Sequence, residues 1–469
     1  MADLHLSIDR QGGGIAVQVA AELREAVRRG RLAAGARLPS TRELAADLQV
    51  SRGVVVEAYE QLVAEGFLVS RVGLGTTVAA TAAGTATGTA TGTATAAVPS
   101  DEEEPAAQPA GLGVPYHGHR PTSPDLGFFP RERWLAAMRH VLTTLPSDAL
   151  DYGDPGGVPE LRVELAGYLR RVRAADVRPE NLVVVGGVAQ GLSLTLHVLG
   201  RTRLAVEDPT SQRQVPLLRR AGAELLPIKA DAAGIDARAV EASGAQAVLV
   251  TPAHHYPTGV VLSPGRRAAL IEWGGLILED DYDAEFRFDR DPVGCLQGLA
   301  PDRVVLCGSV SKSMAPGLRL GWVAAPPEVA ARIRRARGEL DLGSPVVEQY
   351  ALAHFLRTGG YDRHLRRMRR EYRRRRDALV RALAEELPEV SVHGIEAGLH
   401  IYLELPRGCD EVAVARAAQD LGLAAEPVGP MRFTPGPPAI VAGFARVPVH
   451  RALPAVRALK VRMSGQTID

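Results

Sequence analysis

The sequence predicts two folded units: a small winged helix-turn-helix, mainly α, and a large α/β domain built on a mostly parallel sheet. Three observations predict this. In the first 78 residues, two helical stripes, a tight turn, a third helix and two short strand-like runs follow one another. Residues 79–98 then read AATAAGTATGTATGTATAAV, and an acidic Ser100–Glu104 and a Pro/Ala/Gly stretch carry this on to about Pro115. Such small polar residues bury too little apolar area to offset the entropy of ordering. Beyond them, short apolar runs alternate with helical patterns. The expected boundaries are 1–78 for the head, 79–114 for a flexible linker and 115–469 for the large domain. As a random coil the linker spans roughly 30–36 Å.

Composition narrows the class. At 469 residues, 46% hydrophobic and 23% charged, the chain is globular and too long for one ordinary core. Net charge is +1, and the first 78 residues carry nine arginines against nine acids, so no global field selects a polyanionic partner. A nucleic-acid reading must therefore rest on where the arginines sit. Three cysteines without a CxxC spacing fit a reducing cytosol and give no disulfide framework or zinc site, so no metal is expected. The opening MADLHLSIDR lacks the basic and apolar regions of a signal peptide, and no apolar run reaches the roughly 18 residues of a membrane span.

The head is read element by element. Ile15, Val19, Leu23 and Val27 form a helical stripe over Ile15–Arg29. Leu38-Pro39-Ser40 stops the chain, and Ser40-x-x-Glu43 is a capping box opening Thr41–Leu48. After the turn at Gln49-Val50, Ser51 is expected to cap a third helix, Arg52–Glu65, with Val55, Ala58, Tyr59 and Leu62 facing inward and Gly66 as its stop. Phe67–Val69 and Gly75–Val78 read as the two strands of a wing.

In such a head the third helix enters the major groove of double-stranded DNA with its first residues at the base edges. Ser51, Arg52 and Gly53 hold those positions. Gly53 permits close backbone approach, and Arg52 can fork onto guanine or a phosphate. Ser40, Thr41 and Arg42 suit backbone phosphates, and Arg71 in the wing suits phosphate or minor groove. The alternative is a three-helix interaction module with solvated arginines. The segments RLPSTRELAA (37–46), VSR (50–52) and AYEQL (58–62) resemble a GntR-type DNA-binding domain over the whole unit.

The large domain carries three chemical signals, each just after an apolar run. Gly308-Ser-Val-Ser-Lys312 places one lysine among hydroxyl residues, with Arg319 seven residues on. A deprotonated lysine forms a Schiff base with an aldehyde cofactor, and Ser309, Ser311 and Arg319 suit a phosphate. Alone, this is weak evidence, and a surface lysine in a loop is the alternative. Glu279-Asp280-Asp281-Tyr282 follows the run Leu276–Leu278, where α/β folds bind ligands. A pyridoxal ring needs a carboxylate at its nitrogen, which Asp280 can supply, and Tyr282 can bond the ring's phenolic oxygen. An acidic turn is the alternative. The third signal is TPAHHYPTG (251–259).

Together with Tyr152-Gly-Asp-Pro155 and Leu161-Arg162, this order resembles fold-type I aminotransferases from about Pro115 to the C-terminus. With the head, the chain resembles MocR-type regulators, in which a GntR-type domain is linked to an aminotransferase-like domain that senses ligands. The resemblance implies pyridoxal 5′-phosphate as cofactor, Lys312 as the aldimine lysine, Asp280 at the pyridine nitrogen and Tyr282 near the ring hydroxyl. It implies Arg319 at the phosphate, with Ser309 and Ser311 as weaker candidates. His254, His255 and Tyr256 fall in the ring-side loop. It further implies a cytoplasmic homodimer that senses an amine, an amino acid or the cofactor itself. Competing readings are an active aminotransferase with an accessory head and a regulator whose site holds no cofactor.

Two departures from the family pattern stand out. Where members carry a Ser- or Thr-containing turn, this chain has Gly186-Gly187-Val188-Ala189-Gln190, leaving Gln190 and backbone groups such as that of Ala189 for the phosphate. Where members have Gly-Tyr after Glu207-Asp208-Pro209, this chain has Thr210-Ser211. Arg213, and more loosely Arg432, fall where an effector carboxylate is expected. Nine arginines in Arg363–Arg376 read as a solvated helix with acids nearby or as a basic face for DNA phosphates.

Overall fold

The computed structural model describes residues 8–9, 14–65, 67–71, 75–79, 120–288, 294–394 and 396–464. The chain divides into two compact units, Met1–Leu112 and Gly113–Asp469. Apart from Ala79, the expected linker lies outside the described residues, as does Gly66.

The first unit runs α1 (Ile15–Arg28), α2 (Thr41–Asp47), α3 (Arg52–Ala64), β1 (Leu68–Arg71) and β2 (Gly75–Val78). Val19, Leu23 and Val27 are buried along α1 because residues four apart share a helix face. The capping box forms: the Glu43 N–H donates to Ser40 Oγ at 3.3 Å, and the Ser40 N–H donates to the Glu43 carboxylate at 2.8 Å. Gln49, at φ 51°, turns the chain between α2 and α3. Ser51 takes the extended backbone of a helix cap, but its side chain accepts no capping bond, contrary to the sequence expectation. Val55, Ala58, Tyr59 and Leu62 are buried as expected, and the Tyr59 hydroxyl donates to the Pro39 carbonyl at 2.9 Å. That bond ties α3 to the stop before α2. β1 and β2 pair antiparallel, Leu68 opposite Val78.

In the second unit the strands are β3 (Leu182–Val185), β4 (Thr202–Asp208), β5 (Ala223–Asp231), β6 (Gly234–Ile235), β7 (Ala247–Val250), β8 (Leu276–Asp281), β9 (Val304–Ser309), β10 (Gly321–Ala324), β11 (Ser391–His393), β12 (His400–Glu404), β13 (Ala424–Pro427) and β14 (Ala439–Gly443). The helices are α4 (Arg131–Thr144), α5 (Pro159–Arg173), α6 (Val188–Leu199), α7 (Gln214–Arg220), α8 (Ala237–Ala242), α9 (Pro264–Trp273), α10 (Pro327–Leu340), α11 (Val346–Arg357), α12 (Gly360–Glu386), α13 (Glu411–Asp420) and α14 (Val449–Ser464).

The main sheet has the order β3-β10-β9-β8-β7-β4-β5-β6. β4, β5, β7, β8 and β9 are parallel to their neighbours among themselves, whereas β10 runs antiparallel between β3 and β9. The antiparallel β10 and the second sheet, β11-β12-β14-β13, were not legible as strands in the sequence. The main sheet is buried on both faces because its side chains alternate between two cores. Leu182 and Val184 pack with the cluster that includes α4, α5, α11 and α12, while Val183 and Val185 pack with α6 and α10. One correction concerns β8, which does not end at Leu278: Glu279, Asp280 and Asp281 are its last three residues.

Candidate functional site

The carboxyl ends of the strands gather the chemistry. β9 ends at Ser309 and leads into Lys312, β8 ends at Asp281, β7 leads into Thr251, and β3 leads into Gly186-Gly187. Gly321, the first residue of antiparallel β10, pairs with both Ser309 and Val185, so Arg319 arrives at this same edge.

The three acids at the end of β8 have different partners. Glu279 accepts the backbone N–H groups of Leu296 and Gln297 at 3.0 and 3.1 Å. Asp281 takes a two-pronged ion pair from Arg173, at 2.7 and 2.8 Å, with both side chains buried. Asp280 Oδ2 accepts from Gln214 Nε2 at 2.8 Å, but its Oδ1 is buried without any hydrogen-bond partner. Burial pushes the Asp280 carboxyl up to about 7. A buried acceptor left bare calls for a donor.

Lys312 Nζ donates to Thr122 Oγ1 at 3.0 Å. Burial brings its ammonium down to about 8, partly opposed by Asp283 and Asp280 and reinforced by Arg120 and Arg213. The Tyr282 hydroxyl lies 3.2 Å from His254 Nδ1, which is 2.9 Å from Asp283 Oδ2. His255 instead bonds Thr258 at 2.6 Å. His400 is buried against His254, ring centroids 4.6 Å apart. His254, Asp283 and His400 bring ligand-type atoms within 4.8 Å of one another, a grouping that no sequence spacing indicated.

At the β3–α6 turn, Gly187 has φ 119° and α6 begins without a side-chain cap. Its first N–H groups, including that of exposed Ala189, are the orphan donors that favour an anion. A Cβ on Gly187 would meet the Arg319 guanidinium at 3.1 Å, so the glycine lets that cation pack directly against the turn. Gln190 is committed elsewhere: its Oε1 accepts the Gly186 N–H at 2.6 Å and its Nε2 donates to Asp341 at 2.7 Å. Ser309 Oγ accepts the Ser311 N–H at 3.3 Å.

Tyr256 donates to Glu426 Oε2 at 3.1 Å, and Arg213 Nη1 lies 2.8 Å from Glu426 Oε1. Arg432 is placed differently. Its guanidinium donates to the Tyr402 hydroxyl at 2.8 Å and to the Pro437 carbonyl at 2.5 Å, and it lines a cavity of about 570 Å³ with Cys409 and Glu411.

In the head, Ser40, Arg42, Ser51, Arg52 and Gly53 are exposed and Thr41 is half-buried. Arg52 Nε donates to Thr41 Oγ1 at 3.4 Å, which brings the starts of α2 and α3 together. A Cβ on Gly53 would meet only Ser51 Oγ, at 3.8 Å, so the backbone there is open to approach. Arg71 ends β1; its side chain lies outside the described residues.

Residues 15–78 match the bacterial regulatory proteins of the gntR family, and residues 124–448 match aminotransferase class I and II. The HTH-type pyridoxine biosynthesis transcriptional regulator PdxR of Corynebacterium glutamicum is 34% identical over 435 residues, covering 91% of each chain. The probable rhizopine catabolism regulatory protein MocR of Rhizobium meliloti is 30% identical, covering 92% of this chain and 90% of that one. The chain belongs to the MocR-type regulators.

The solved structures agree on the large domain of this MocR-type chain. An archaeal alanine:glyoxylate aminotransferase superposes with a TM-score of 0.67 at 25% identity, over 74% of this chain and 90% of its own. LysN of Thermus thermophilus, an α-aminoadipate aminotransferase solved with N-(5′-phosphopyridoxyl)-L-leucine, gives 0.66 at 27% identity, over 73% and 91%.

Several partners of the site's residues had no sequence signal. Thr122, which meets Lys312, is 190 positions away from it, Gln214, which meets Asp280, lies in α7, and Glu426, which meets Arg213, lies in the second sheet. Only folding brings them to one place. The expected motif Tyr152-Gly-Asp-Pro155 divides: Asp154 pairs with Arg162 at 2.8 Å, while Tyr152 is 84% exposed. The α12 arginines also divide by face. Arg363, Arg366, Arg367, Arg370, Arg373 and Arg374 are exposed along one stripe, while Arg375 turns inward to Asp125 and Glu371, both at 2.9 Å.

Proposed function

We propose that this protein is a transcription regulator that uses pyridoxal 5′-phosphate, senses an amine, an amino acid or the cofactor itself at Lys312, and binds double-stranded DNA through its head. The observation that carries the reading is the bare, buried Oδ1 of Asp280 in the same cluster as Lys312. A protonated pyridine nitrogen is the donor that such an atom lacks. The turn at Gly187, with the Arg319 guanidinium packed against it and the uncapped start of α6 following it, supports a phosphate there.

When bound, the cofactor supplies an aldehyde that condenses with primary amines. The protein's own groups prepare for it. Lys312, its ammonium near 8, gives up a proton far more readily than a solvated lysine. Asp280, near 7, becomes anionic when a cation faces it and so would hold a proton at the ring nitrogen. Tyr282, steadied by His254 and Asp283, would position the ring's phenolic oxygen. Arg319, the Ala189 and Gln190 backbone, Ser309 and Ser311 would hold the phosphate, with Tyr256 lining the ring side. Arg213 would meet the effector; Arg432, held by Tyr402, is a weaker choice.

On DNA, Ser51, Arg52 and Gly53 would face base edges, and Ser40, Thr41, Arg42 and Arg71 the phosphates. Leu135 and Leu142, exposed two turns apart on one face of α4, support a homodimer, since such a face is suited to burial against a second copy. Three free cysteines support a cytoplasmic setting, and no helix among the described residues is long and apolar enough to cross a membrane. For regulation, the ligand must bind two states of the protein with different free energy.

The test is the visible absorption of purified protein with added pyridoxal phosphate. A band in wild type that is absent in Lys312→Ala supports the reading; no band in either removes the cofactor from it.

A further inference from the structure

Arg213 is the cation placed to receive an effector, yet it already has an anion. Its Nη1 lies 2.8 Å from Glu426 Oε1, and Glu426 Oε2 accepts the Tyr256 hydroxyl at 3.1 Å. The Glu426 side chain is 11% exposed, whereas Arg213 is 43% exposed. The carboxylate is therefore the fixed partner and the guanidinium the movable one. The pair belongs to the Lys312 pocket: Arg213 contributes to the field at Lys312, the next residue, Gln214, holds Asp280, and the Tyr256 ring packs 6.5 Å from that of Tyr282.

The contact has a second property. Although Arg213 is close, its N–H does not point along the line to Glu426 Oε1, and that buried oxygen has no well-aligned hydrogen bond. The site thus presents a neutralised arginine and an acceptor in want of a donor. A ligand carboxylate arriving here brings only acceptors, meets the Glu426 charge and would have to draw the exposed Arg213 away from a buried carboxylate, leaving that charge unpaired. A hydroxyl or ammonium group brings the missing donor and leaves the pair intact.

Resting on the reading of Lys312 as the amine-sensing centre, we infer that Glu426 is a specificity-determining residue that closes Arg213 to carboxylates and selects a small primary amine carrying a second hydrogen-bond donor, an amino alcohol or a diamine, over an amino acid. Glu426 acts through charge and hydrogen bonding at the ligand's far end and takes no part in chemistry at Lys312.

Three probes with the same three-carbon spacing test this: 3-amino-1-propanol, 1,3-diaminopropane and β-alanine. Each is titrated into the full-length protein loaded with pyridoxal phosphate, followed by the shift of the visible band and, separately, by calorimetry. Wild type is expected to bind the amino alcohol or the diamine at least tenfold more tightly than β-alanine. Glu426→Gln is expected to strengthen β-alanine about tenfold or more while moving the amino alcohol less than threefold. The double variant with Arg213→Gln is expected to lose that gain. A wild type that prefers β-alanine overturns the inference without any variant, and so does a Glu426→Gln protein with the wild-type ratio. Absence of a visible band overturns the Lys312 reading instead, which keeps the two failures apart.

Discussion

The end of strand β8, Glu279–Asp281, and the start of helix α3, Ser51–Gly53, are each three residues long, and they disclose function in opposite ways. The three acids look alike in sequence and differ completely once folded. Two are consumed by Leu296, Gln297 and Arg173, and one keeps a bare oxygen. The three head residues are exposed and almost without partners, and folding adds little to what their order already says. A buried polar atom must be satisfied, so its unmet valence points at a ligand. An exposed one is satisfied by water, so only its place in a pattern points anywhere. The interior site should therefore fail sharply when altered and the exposed one by degrees.

Lys312→Ala tests the sharp end. It should abolish the visible band formed with pyridoxal phosphate, while affinity for DNA selected by the wild-type protein stays within about threefold. Loss of DNA binding in this variant would erase the contrast between the regions. Arg52→Ala should do the reverse. One forked arginine contact carries about 1–3 kcal/mol, so an electrophoretic or anisotropy titration should read roughly a 10- to 100-fold weaker Kd with the spectrum unchanged.

Asp280→Asn should act in both directions. Pyridoxal phosphate should bind about tenfold more weakly, because the ring nitrogen loses its anion. The cofactor-free protein should become more stable. The Asp280 carboxyl rises from its ordinary 3.8 to about 7 on folding, so the folded state holds more protons between those values. Stability is thus lost as pH rises from about 4 to about 7, and the penalty is complete above that. The gain in Tm of Asp280→Asn should accordingly be larger at pH 8 than at pH 5, and equal gains would place the Asp280 carboxyl near its ordinary value. The smallest effect belongs to Ser40→Ala. Losing this cap should destabilise the head by about 1 kcal/mol, read as an earlier first transition on thermal unfolding. An unchanged transition would mean that the Glu43 arm of the box suffices.

Much of this was legible in the chain. The capping box at Ser40 and Glu43, the stripe of α1, the inner face of α3 and the run Leu276–Leu278 that opens β8 are local patterns, and local patterns survive folding. Lys312, Asp280, Tyr282 and Arg319 were readable because each stands within a few residues of a strand end, where an α/β sheet offers its ligand edge. What could not be read is what crosses the sheet. β10 runs antiparallel between two strands, and a four-residue run carries no mark of direction. Ser51 was expected to cap but accepts no capping bond, and the side chains of Gln190 and Arg432 meet Asp341 and Tyr402, partners distant in sequence that no local pattern announces.

By itself the sequence determined the residue types at each strand end and the periodicity of each helix, because these depend on neighbours a few positions away. Only the tertiary structure decided which carboxylate of three keeps a free oxygen, and that Glu426, 213 positions beyond Arg213, sits against it. The physical reason is that burial and pairing set the state of a polar group, and both are properties of what folds around it rather than of what precedes it in the chain.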